Sequence, residues 1–86
     1  MAGKILLVED ELTVMNQLKA LLQAAGYEVL TASDGEAGWT IFLQNSPSAV
    51  VSALRMPNLD GLALLKRIRN RDQKLPVVLF ADVGEG

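Results

Sequence analysis

Lys4-Ile5-Leu6-Leu7-Val8-Glu9-Asp10 decides how the rest of this chain is read. Its apolar core is unbroken and too short for a helix, which predicts a strand over residues 4–8 covered on both faces. Such burial is the mark of a parallel sheet with helices on either side, and two carboxylates stand where the strand ends. Next comes a stripe at helical spacing, Leu12, Val14, Met15, Leu18, Leu21, Leu22 and Ala25, which predicts a helix over 11–25. Gly26 follows as its left-handed cap.

Further along, the same alternation repeats. A second strand is expected from Tyr27 to Thr31. Ser33-Asp34-Gly35-Glu36 reads as a capping box, with the Ser33 hydroxyl and the Glu36 carboxylate serving free amides at a helix start. That helix runs to Asn45 and stops before Pro47. Ala49 to Leu54 form a third strand, and residues 55–60 turn into a helix from Gly61 to Arg71 with Leu62, Leu65 and Ile68 inward. Lys66, Arg67, Arg69 and Arg71 fall in its later turns, where cations complement the helix dipole. Pro76 opens a fourth strand, Val77 to Ala81. Strands alternating with helices of this length imply βαβ units with right-handed crossovers, in one domain spanning 1–86.

Composition narrows the function. The chain of 86 residues is 50% apolar and 21% charged, the balance of a globular α/β protein rather than a disordered one. Folding at this length buries only about 60–65% of the unfolded surface, so stability is expected to be marginal. A net charge of −2 gives no long-range pull toward nucleic acid or acidic membranes. No run reaches a membrane span and no signal peptide opens the chain, so a cytoplasmic location is expected. With no Cys and no His, thiolate and imidazole chemistry are excluded, and any metal must be a hard cation on oxygen ligands.

In an open α/β sheet, ligands bind beyond the carboxyl ends of the strands. There the chain places Glu9-Asp10 and Ala53-Leu54-Arg55. Neighbouring carboxylates repel unless a cation sits between them, and phosphoryl transfer uses such a cation. Read alone, Glu9-Asp10-Glu11 equally begins a helix, whose first turn favours acids. Met56-Pro57-Asn58-Leu59-Asp60-Gly61 alone is a well-made strand-to-helix turn: proline fixes one dihedral, Asn58 and Asp60 favour turn geometry, and Gly61 permits what a side chain forbids.

Taken together, these stretches resemble the receiver domain of two-component response regulators. Leu6 to Glu11, Ala24 to Val29, Ala32 to Ala37, Met56-Pro57-x-x-Asp60-Gly61 and Pro76-Val77-Val78 all look like receiver sequence, and the resemblance covers the whole chain. It implies a flavodoxin-like doubly wound parallel sheet of order 2-1-3-4-5, of which this chain carries a (βα)3β remnant of order 2-1-3-4 without the last helix-strand-helix part. It also implies phosphorelay signalling, in which a phosphoryl group passes from a kinase histidine to a receiver aspartate with Mg²⁺. On that reading Asp10 binds the metal directly, Glu9 acts through water, and the Arg55 backbone carbonyl adds a third contact.

The resemblance also marks three departures. Ala53 holds the position, three residues before Met56, where the family carries its phosphoacceptor. Ala81, five residues after Pro76, stands for the Thr or Ser that senses the phosphoryl group. The lysine-bearing segment is not found before Gly86. Ser52 should face away from the acids because alternate strand residues point to opposite faces. Asp82 lies close enough to enter the metal sphere, or is a solvated loop acid. Trp39 and Phe42 read as packing rather than as a binding platform.

These departures predict a receiver-like domain with no catalytic residue and Mg²⁺ at most weakly held, acting as a phosphate-independent protein-binding module. Its partner would be a sensor kinase or an output protein. The alternative is a silenced and truncated form of a working Mg²⁺-dependent receiver. A phosphohydrolase of related topology is disfavoured, because no aspartate nucleophile follows a suitable strand. The fourth strand is left as an apolar edge, and Leu12, Val14 and Leu21 are expected on the exposed part of the first helix. A homodimer by edge pairing or exchange of elements is the expected consequence.

Overall fold

The opening apolar run lies at the interior of a parallel sheet. In the computed structural model, which describes residues 3–81, β1 (Lys4–Val8) is flanked by β2 (Glu28–Ala32) on one side and β3 (Ala49–Ala53) on the other. β4 (Val77–Phe80) pairs with β3, giving the order β2-β1-β3-β4 with every pair parallel. Leu6, Leu7 and Val8 are fully buried, as an unbroken apolar strand with both neighbours and both faces covered requires.

Three helices clothe the sheet. α1 (Leu12–Ala24) lies over β1 and β2 on one face, with Met15 buried beneath it. α2 (Gly35–Asn45) and α3 (Gly61–Arg71) cover the other, where Leu6, Val8, Ala32, Phe42, Val50, Leu64 and Ile68 form the main core. No helix among the described residues is long and apolar enough to cross a membrane.

Local chemistry explains where the observed elements differ from expectation. Gly26 has φ 100° just past α1, as anticipated. Its N–H donates to the Gln23 carbonyl at 2.9 Å, and the Tyr27 N–H donates to the Leu22 carbonyl at 3.1 Å. This bond pair is a Schellman closure, and it engages Tyr27 so that β2 starts one residue later, at Glu28. α2 is capped by Asp34 rather than Ser33: the Ala37 N–H donates to Asp34 Oδ1 at 2.8 Å. Both residue types cap well, and Asp34 is the one immediately before the helix.

On α3 the inward residues are Leu64 and Ile68, while Leu62 is 47% exposed and Leu65 half-buried. The phase is set at the helix start. Asp60 caps by accepting the Ala63 N–H at 2.8 Å, and Gly61 abuts the end of β3, so positions 61, 64 and 68 share the sheet-facing side. On α1, Leu12 and Leu21 are exposed as expected, and Val14 is half-buried.

Candidate functional site

Parallel pairing gathers the carboxyl ends of the strands at one edge, and a cavity of about 810 Å³ opens there. Glu9, Asp10, Ala53, Arg55, Phe80 and Ala81 all line it, so the residues singled out at the ends of β1, β3 and β4 do come together. Asp82 lies outside the described residues. The three acids directly precede α1, with Glu11 as its N-cap residue, and none stands within its first turn.

Glu9 is only 6% exposed, and its N–H donates to the Ala32 carbonyl at 3.0 Å, extending the β1–β2 ladder by one bond. Its Oε2 accepts the Glu11 N–H at 2.8 Å. Burial pushes the Glu9 carboxyl above its ordinary value of 4.5; the Glu11 amide pulls it back, and the Asp10 carboxylate pushes it up again. The folded state therefore holds this proton to higher pH than the unfolded chain does. Its contribution to stability is full below 4.5 and is lost as pH rises through the raised value. In chelator-containing buffer, urea midpoints of the parent are expected to fall across that window. Glu9→Gln should abolish this component of the fall and leave the protein more stable than the parent at neutral pH.

The turn after β3 is held at several points. The Gly61 N–H donates to the Leu54 carbonyl at 2.8 Å, and a Cβ at 61 would overlap the Ala53 carbonyl oxygen and stand 3.0 Å from Leu54 Cα. Asn58 adopts φ 69°, and around it the Leu59 N–H donates to the Pro57 carbonyl at 2.9 Å, a tight γ-type turn. Asn58 Nδ2 donates to Asp34 Oδ2 at 3.0 Å. Asp34 therefore caps α2 with one oxygen and pins the β3–α3 turn with the other. At Gly35 a Cβ would overlap the Leu59 carbonyl, so the two loops are in direct backbone contact. Sequence reading placed Asp34 inside a capping box and missed this second role, which depends on a residue 24 positions away.

Ser52 is fully buried and shares its register with Val8, on the α2–α3 side of the sheet. Its hydroxyl donates to the Ala53 carbonyl at 2.9 Å, away from the acids as expected. Trp39 and Phe42 stack at 5.5 Å between ring centroids, Phe42 within the core and Trp39 against it. The Arg67 guanidinium lies 5.8 Å from the Trp39 ring centroid and 3.5 Å from Glu36, bridging α2 and α3. The packing reading of these aromatics holds.

As a cation site the set offers few protein donors. Mg²⁺ requires a near-octahedral shell of oxygens. The candidate donors are the Glu9 and Asp10 carboxylates and the Arg55 carbonyl; Glu9 Oε2 already accepts an amide, and Ala53 contributes only a methyl group. Among the described residues, no group of three or more acids is arranged to hold a metal.

Comparison with known proteins agrees with the fold. The chain matches the family described as response regulator receiver domain over residues 5–85. It is 38% identical over 82 residues to the probable transcriptional regulator ycf27 of Cyanophora paradoxa, covering 95% of this chain and 34% of that protein. The chain thus spans about a third of the length of such curated relatives. A response regulator receiver domain protein from Clostridium thermocellum superposes with TM-score 0.88 at 36% identity, over 98% of this chain and 68% of that one. The response regulator TrrA of Thermotoga maritima, solved in complex with Mg(2+)-BeF, superposes with TM-score 0.89 at 32% identity, over 94% of this chain and 70% of its own. Sheet order, turn geometry and sequence converge: this chain belongs to the receiver-domain family of two-component response regulators.

Proposed function

We propose that this receiver domain transmits its signal by binding, without accepting a phosphoryl group at position 53. The observation that carries the reading is Ala53 itself: it ends β3 on the wall of the acidic cavity and has no nucleophile. The neighbouring hydroxyl does not compensate, because Ser52 points to the opposite face and donates to a backbone carbonyl. Ala81, beyond β4, lines the same cavity without a hydroxyl. Glu9, Asp10 and the Arg55 carbonyl hold Mg²⁺ only weakly on this reading, since a third carboxylate is not among them. The domain is then a non-enzymatic module of the cytoplasm. It offers a fixed surface to a sensor kinase or an output protein, and it associates with itself through β4 or by exchange of elements.

The test is incubation with acetyl phosphate and Mg²⁺ followed by intact-mass measurement. No mass change is expected; a base-labile phosphoryl adduct would overturn the reading. A second reading, a silenced form of a working receiver, is favoured by the intact turn, with both its caps and the Asp34–Asn58 bond in place. Ala53→Asp separates the two. A base-labile adduct on that variant supports silencing of a competent scaffold, and no adduct supports a module committed to binding.

A further inference from the structure

The seam between α2 and α3 carries two arginines, and only one of them is engaged. Arg67 and Arg71 stand one turn apart on α3, on the same side of the helix. Arg67 is committed to α2, 3.5 Å from Glu36 and over the Trp39 ring. Arg71 is exposed and makes no ion pair or hydrogen bond among the described residues. An arginine at a helix end commonly serves the carbonyls there, but Arg69 already does so: its Nη1 donates to the Asp72 carbonyl at 3.2 Å.

Arg71 stands instead on the wall of a hollow of about 160 Å³. The hollow lies between the last turn of α2, the loop at 46–48 and the loop at 72–76, beside the amino ends of β3 and β4. The chain leaves β4 at the opposite end of the sheet. Phe42, Leu43, Pro47 and Leu75 supply the apolar lining. Phe42 belongs to the core, whereas Leu43 is 43% exposed, a large apolar side chain facing water. Size decides the class of occupant. Small-molecule sites run to about 300–1,000 Å³, while a buried cavity of about 150 Å³ accommodates benzene. The hollow takes one apolar side chain and no more.

Charge decides what accompanies that side chain. Across the two helices, Lys66, Arg67, Arg69 and Arg71 oppose the single acid Glu36. Asp72 also lines the hollow, but its Oδ1 accepts the Lys74 and Leu75 N–H groups and so holds its own loop. The end of α2 asks for no donor at 41 or 42: Asn45 Nδ2 serves the Ile41 carbonyl at 3.0 Å, and the Ser46 N–H serves the Phe42 carbonyl at 3.1 Å. A cationic occupant would meet Arg71 and Lys74, and an acidic one is drawn by both.

We infer that the α2–α3 seam is a docking site for an acidic segment of a partner protein. The segment seats one apolar side chain between Leu43 and Leu75 and sets a neighbouring carboxylate on the Arg71 guanidinium, a charge-assisted pairing that fixes its direction. This names a surface and a partner chemistry for the binding-module reading, on which it rests. The acetyl phosphate assay does not involve the seam, so the two can fail separately.

The experiment titrates the full ¹⁵N-labelled chain with three blocked peptides that share Gly-Ser flanks and carry Leu-Asp, Leu-Lys or Ala-Asp at the centre. The Leu-Asp peptide should shift the amide resonances of Leu43, Ser46 and Arg71 saturably at millimolar concentration. The other two should bind about tenfold or more weakly, each lacking one half of the anchor. Arg71→Glu should reverse the order and favour Leu-Lys over Leu-Asp, a gain that unfolding cannot mimic. Lys19→Glu, the same charge change on α1, should leave the order as in the parent. No saturable shift, shifts confined to other faces, equal binding of Leu-Asp and Leu-Lys, or an unchanged order in Arg71→Glu would each overturn the proposal. A parent that sediments as a dimer and becomes monomeric with Arg71→Glu would assign the seam to a second copy, and would overturn it too.

Discussion

Gly61→Ala is expected to lower stability by about 3 kcal/mol or more, and Gly61→Val to leave no folded population. The added Cβ overlaps the Ala53 carbonyl oxygen and presses on Leu54 Cα, backbone atoms at and just past the end of β3 that cannot swing aside as a flexible side chain can. Relief requires α3 to withdraw from the strand. That breaks the Gly61–Leu54 bond and lifts Leu64 and Ile68 from the core. Domains of this size are stable by only about 5–10 kcal/mol, so the loss is a large share of the total. Gly26→Ala sets the scale for torsional strain without a clash: at φ 100° it should cost about 1 kcal/mol. Urea melts followed by far-UV circular dichroism check the contrast. Equal midpoints for Gly61→Ala and Gly26→Ala would refute the close-approach account.

The second large effect lies one helical turn further on. Leu64→Ala and Ile68→Ala are each expected to cost about 2–5 kcal/mol, because both side chains are essentially fully buried in the main core. Leu62→Ala should change stability by no more than about 0.5 kcal/mol, as an exposed position on the same helix. The three variants remove similar apolar bulk, so the difference between them measures the phase of α3 directly. A Leu62→Ala loss matching that of Leu64→Ala would mean that the helix is rotated from the orientation described.

That phase is where sequence reading failed, and the failure has a local cause. Leu62, Leu64, Leu65 and Ile68 offer two apolar stripes of similar quality, and period alone does not choose between them. The choice is made by Asp60 and Gly61, which fix how the helix meets the end of β3, a contact between segments that only the fold brings together. Strand order and helix placement were legible because β1 is unambiguous: four consecutive apolar residues, Ile5–Val8, directly before Glu9 admit few structures other than a buried parallel strand. The acidic edge was legible for the same reason, since parallel strands deliver their ends to one place. The Asp34–Asn58 bond was not, because either residue is a satisfactory turn former in isolation.

The double engagement of Asp34 bears on how rich in acid the cavity end of the sheet really is. Formal charge counts Asp34 and Asp60 alongside Glu9, Asp10 and Glu11. Yet Asp34 has both oxygens occupied by Ala37 and Asn58, and Asp60 is turned toward the Ala63 amide. Asp34 is therefore not free to stand in for the carboxylate that position 53 does not supply, and Asp60 is engaged as the cap of α3. A carboxylate used as a fastener is already engaged, and on the proposed reading reactivity at this edge would require a new acid rather than the relocation of an old one.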